Sequence, residues 1–97
     1  MPGYVGILAV ELHFPEAGSL KGKRQFVRSA KAQLQNRFGA SVAETAHHDL
    51  WQRSALTVAC VARDLGELDR LLDGAVRWLD GQEYELLGTT REVVAVE

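Results

Sequence analysis

The chain has 97 residues, 46% hydrophobic and 25% charged, with one cysteine and a net charge of −2. That length suits a single domain, residues 1–97, with one core that buries about 60–70% of the surface exposed on unfolding. A lone cysteine excludes an intramolecular disulfide, no apolar run has the length of a membrane span, and near-neutrality argues against nucleic-acid binding through overall charge. The opening "MPGYVGILAVELHF" lacks the basic start and small-residue cleavage site of a secretory signal. A cytoplasmic protein with no membrane partner is expected.

Residues 4 to 14, "YVGILAVELHF", are rich in β-formers and end at Pro15, which predicts a strand; apolar residues on both alternating faces make it central. Ser19 is a good N-cap, and Leu20, Phe26, Val27, Ala30, Leu34 and Phe38 recur along one helical side before Gly39 stops the helix. "ASVAETAH", residues 40 to 47, is a polar strand fit for a sheet edge, whereas "SALTVACVAR", residues 54 to 63, is apolar and central. Cys60 within that run reads as a buried small hydrophobe. Asp64 with Glu67 forms a capping-box-like start to a second helix that carries Leu65, Leu68, Leu72, Ala75, Val76 and Leu79 on one side and stops at Gly81. Residues 90 to 96, "TREVVAV", form the last strand, which leaves 81 to 90 as a connection.

The order β-α-β-β-α-β is the split βαβ pattern of an α+β, ferredoxin-like sandwich. Right-handed crossovers give a four-stranded antiparallel sheet ordered 4-1-3-2 with both helices on one face. The two apolar strands then fall in the middle. This topology brings three segments to one end of the sheet: "SLKGKR" at the start of the first helix, the hairpin "HHDLWQR" at 47 to 53, and the connection at 81 to 90.

At that end the charge pattern breaks a rule. Residues 17 to 43 hold six of the eleven cations and none of the thirteen acids, so this segment sums to +6 and the rest of the chain to −8. Lys21, Lys23 and Arg24 stand in the first turns of a helix, where the backbone dipole disfavours cations by about 0.3–1 kcal/mol each. The second helix starts with Asp64, Glu67 and Asp69 and obeys the rule. Free N–H groups, three cations and Gly22 allowing close approach are the ingredients of an anion or phosphate site. Lys21, Arg24, Arg28 and Lys31 extend it as a stripe along one solvent side of the helix. The competing reading is a solvated basic face paired with acids from elsewhere, with Lys23 close enough to the apolar side to snorkel past the core. Trp51 in the hairpin either plugs the loop or offers a stacking surface.

Other chemistries find less support. His47, His48 and Asp49 are neighbours whose side chains alternate across a strand and match no zinc spacing, although His13 could join them at the same end. No nucleophile-base set and no glycine-rich nucleotide loop is present, so neither an enzyme nor a cofactor is expected.

Three segments carry a family likeness. "GSLKGKR" (Gly18 to Arg24), "VAET" (Val42 to Thr45) and "HDLWQR" (His48 to Arg53), followed by an apolar strand, resemble the YlxP-like family of small bacterial proteins over nearly the whole chain. The resemblance implies a ferredoxin-like fold and a biochemical role that is not established. It also implies a link to RNA by association, because members are often encoded near translation and ribosome-maturation genes.

The expectation is therefore an RNA-binding or ribosome-associated accessory protein that sets Ser19, Lys21, Lys23, Arg24, Arg28, Lys31 and Arg53 on phosphates, with Trp51 stacking on a base. The third strand carries no aromatics on its face, so this is not a reader that stacks bases on its sheet. One rival is a homodimer or other protein-interaction module formed through the open sheet face, where Val5, Ile7 and Ala9 lie beside Ala55, Ala59 and Val61. A small-anion or nucleotide binder using the same basic end is the other.

Overall fold

The computed structural model describes residues 3–97. Six elements follow in the order β1 (Tyr4–His13), α1 (Leu20–Phe38), β2 (Ser41–Ala46), β3 (Arg53–Ala62), α2 (Leu65–Asp80) and β4 (Glu85–Ala95). All strand pairs are antiparallel and the sheet order is β2-β3-β1-β4, an α+β ferredoxin-like fold with the expected topology.

Period-two patterning divides the sheet into two faces. Leu8, Val10 and Leu12 of β1 and Leu56, Val58 and Cys60 of β3 point into the core, and their alternates lie on the open face. The helices meet the core through 3.6-residue stripes: Lys23, Val27, Ala30 and Leu34 on α1, and Leu68, Leu72, Ala75 and Leu79 on α2. Gly6 of β1 lets α2 approach closely, since a Cβ there would lie 2.6 Å from Leu72 Cδ1. Gly39 ends α1 at φ 61°, with its N–H donating to Gln35 O.

One boundary differs from expectation. β4 begins at Glu85, so part of the anticipated connection is strand. Glu11 pairs with Gly88 while Leu12 pairs with Leu86, which makes Leu87 the extra residue of a β-bulge. Gly88 therefore marks an irregularity inside a strand instead of a loop.

Candidate nucleic-acid interface

The three expected segments do converge. Phe14 N–H donates to Gln52 O at 2.9 Å, and Gln52 Nε2 reaches Pro15 O and Ala17 O, tying the β2–β3 hairpin to the segment before α1. Tyr84, just before β4, packs at 4.9 Å between ring centroids on Phe14, which stacks on Phe26 of α1 at 5.3 Å.

Lys23 does not belong to any phosphate surface. It is 0% exposed, and its Nζ donates to Glu44 Oε2 at 2.8 Å, His47 O at 2.9 Å, and His48 O and Arg53 O at 3.3 Å. Its expected role as an anion ligand is corrected: an ammonium surrounded by a carboxylate and three carbonyls is already satisfied. Ser54 Oγ donates to the same Glu44 oxygen at 2.6 Å. Burial pushes the Glu44 carboxyl up, but hydrogen bonds from Lys23 and Ser54, aided by the charges of Lys23 and His48, outweigh it and hold the group below its ordinary range. The arrangement also secures backbone strain. His47 has φ 65°, a left-handed conformation that costs a non-glycine residue about 1–2 kcal/mol, and the Lys23 ammonium sits on its carbonyl. Lys23 is thus a strut from the first turn of α1 to the hairpin, and it fixes where Trp51 stands.

The remaining cations of α1 behave differently. Among the described residues no carboxylate lies within ion-pair distance of Lys21, Arg24, Arg28 or Lys31, so the acids elsewhere leave this stripe unneutralised. Arg24, Arg28 and Lys31 line a shallow groove of about 420 Å³ together with Val27, Ala32 and Gln35. From Lys21 to Lys31 the stripe runs about 15 Å at 1.5 Å per residue. Arg37, near the helix end, is set apart from it by a hydrogen bond to Gln33 and a position over the Trp78 ring at 5.8 Å.

At the helix start, Ser19 Oγ accepts from Gly22 N–H at 3.0 Å, and Ser19 O accepts from Lys23 N–H. Ser19 acts here as the cap, which leaves the amides of Leu20 and Lys21 without an intrahelical acceptor. Gly22 is not required for backbone approach: a Cβ there would sit 3.4 Å from Ser19 Oγ, and its own N–H is occupied by the cap. Trp51 is 53% exposed and shares a groove of about 390 Å³ with Gly18, Ser19, Leu20 and the acid Asp49. It is therefore a half-open aromatic surface beside the helix start and not a core plug.

Arg53 lies apart from the stripe. Strand alternation sends its side chain to the open face, where its guanidinium Nη2 meets Glu11 Oε2 at 3.1 Å. The histidines disperse as well: His13 Nδ1 pairs with Glu85 at 2.6 Å, His47 Nε2 lies 3.3 Å from Glu11, and His48 Nε2 bonds Glu44 O. Cys60 is buried, and burial pushes its thiol up, away from the reactive thiolate.

The sequence signal for Lys23 was present. It stands four, seven and eleven residues before Val27, Ala30 and Leu34, and Glu44 shares the core-facing parity of Val42 and Ala46. The snorkelling alternative for Lys23 rests on the first of these, and the parity of Glu44 supplies the partner.

Residues 5–91 match the family described as "Protein of unknown function (DUF503)". The chain is 29% identical over 76 residues to "Uncharacterized protein YlxP" of Bacillus subtilis (strain 168), a match covering 78% of this chain and 83% of that protein. Among solved structures it resembles the de novo designed protein Foldit4, with a TM-score of 0.53, 10% identity, and 98% and 97% of the two chains covered. At that identity the likeness concerns the fold alone. No helix among the described residues is long and apolar enough to cross a membrane.

Proposed function

The chain belongs to the DUF503 family of unknown function, and we propose that it is a non-catalytic accessory protein that binds RNA, free or in a ribosomal particle, through α1 and the β2–β3 hairpin. The observation that carries this reading is the stripe Lys21, Arg24, Arg28 and Lys31: four cations on one helix face, with no acid within pairing distance among the described residues. A structural basic face would be expected to recruit some of the thirteen acids; this one keeps its charge for a partner. Its length of about 15 Å accommodates roughly four phosphates at about 3.4 Å of rise per nucleotide. Trp51 adds a face on which a base can stack at the end of the stripe, with the amides of Leu20 and Lys21 nearby. Lys23 contributes by holding the hairpin in place.

Binding of a labelled single-stranded RNA, measured by fluorescence anisotropy, tests the proposal. Wild-type protein is expected to bind and the quadruple variant Lys21→Glu, Arg24→Glu, Arg28→Glu, Lys31→Glu to fail. Equal binding by both would overturn it. Binding of free nucleotide as tight as that of an RNA oligomer would favour the small-anion reading.

A further inference from the structure

The open face of the sheet is a platform with unusual relief. Val61, Val5 and Val94 form one row across β3, β1 and β4; Ala59, Ile7 and Glu92 stand in the next, and Thr57, Ala9 and Thr90 in the third. Val61 is 70% exposed and Val94 44%. No lysine or arginine rises through these three rows; Glu92 stands at the β4 edge of the second, and the other charges gather at the far end of the face, where Glu11, Arg53, His13 and Glu85 pair with one another or with His47. A field that is apolar across the first two rows of the central strands, with small residues at its centre and most of its charges at one end, differs from the polar side chains that solvate an ordinary exposed sheet face.

We infer that this face is the interface with a second copy of the chain, packed sheet on sheet about a twofold axis that runs along the strands between β3 and β1. The direction of the axis follows from the charge pattern. An axis across the strands would lay the valine row of one copy on the charged end of the other and strand both. An axis along the strands keeps each row opposite itself and exchanges β1 with β3, so that Ile7 faces Ala59 of the partner subunit and Val5 faces the partner's Val61. Large side chains thereby meet small ones or their apolar counterparts. The same exchange turns the β4 side of one copy, carrying Glu85, toward the β2 side of the other, carrying His47, so a carboxylate approaches an imidazole at the polar end.

Area supports the same occupant. β3, β1 and β4, of ten or eleven residues rising about 3.3 Å each, lie about 4.8 Å apart and the six-residue β2 flanks them, which makes a platform of roughly 570 Å². Side-chain relief raises this toward the about 800 Å² that a standard interface takes from each partner. Aligned sheets pack with their strands within about 30° of each other, and the long side chains of this face stand at its margins, Glu92 at the β4 edge and Arg53 and Glu11 at the polar end. Both α1 stripes remain outside the sandwich, so RNA and the second copy occupy different surfaces.

Sedimentation equilibrium without nucleic acid, from micromolar to millimolar protein, tests the interface independently of RNA binding. Wild-type protein is expected at dimer mass, and Ile7→Lys and Val61→Lys are expected to weaken the dimer by about tenfold or more while circular dichroism confirms their fold. Hydroxyl-radical footprinting of wild-type protein provides a readout that no variant's misfolding affects. Protection of Val5, Ile7 and Val61 is expected to rise with concentration while Leu65 on α2 stays accessible. A monomer throughout the range, folded variants that retain dimer mass, or protection confined to the free edge of β4 would each overturn the inference.

Discussion

Replacing Lys23 by methionine keeps most of the stem's volume and removes the ammonium. The change leaves Glu44 with Ser54 as its hydrogen-bond donor, and it withdraws a donor from the carbonyls of His47, His48 and Arg53. Because Lys23 is fully buried and the Glu44 side chain is only 17% exposed, the cost is that of breaking a buried pair from one side, about 3–5 kcal/mol. A domain of this size has about 5–15 kcal/mol in total. At roughly 4–8 °C per kcal/mol the melting temperature should fall by the order of 20 °C. Urea denaturation of Lys23→Met, of Glu44→Leu and of the double variant gives the coupling energy. The double variant should recover part of the loss, since it leaves no charge unpaired. Hydrogen exchange of the hairpin amides, Leu50 among them, should speed up in Lys23→Met before the core strands respond. A loss below about 1 kcal/mol, the range of an exposed ion pair, would refute the strut.

Two further outcomes follow from the same end of the molecule. The Glu44 carboxyl is held below its ordinary value of 4.5, so it contributes stability that is fully present above that pH and is lost as pH falls through the lowered folded value. The stability gap between wild type and Glu44→Gln, followed by urea denaturation across acidic pH, should therefore close below about pH 4.5. Trp51→Ala should keep its stability to well within the about 3–5 kcal/mol that a buried tryptophan costs. It should lose about 1–3 kcal/mol of RNA affinity if a base stacks there, and a collapse in melting temperature with affinity retained per folded molecule would make Trp51 structural.

Topology was legible in the sequence because it rests on periodicities that span whole elements. Alternation in "YVGILAVELHF" and "SALTVACVAR", Ser19 and Gly39 bounding α1, and Asp64 with Glu67 opening α2 all act locally, and the structure uses each as expected. The start of β4 was missed because Gly88 reads as a breaker, whereas a bulge needs the register with β1 to be recognised. The site was legible only in part. Convergence of the three segments followed from topology, but the separation of Lys23 from Lys21 and Arg24 depends on helical phase, which places one lysine in the core and its neighbours outside. Arg53 was misplaced for the corresponding reason on a strand: one residue of parity decides between the helix side and the open face.

The central claim is that the α1 stripe lies on a phosphate backbone, and the salt dependence of RNA affinity tests it most directly. Four neutralised contacts with single-stranded RNA should give a slope of log K against log salt near −2.8, from about −0.7 per contact. Reversal of Lys21, Arg24, Arg28 and Lys31 to Glu should abolish both slope and binding, yet leave the melting temperature unchanged or raised, because acids at Lys21 and Arg24 favour the helix dipole by about 0.3–1 kcal/mol each. A quadruple variant that is destabilised while its RNA affinity and salt slope match those of the wild type would contradict the account.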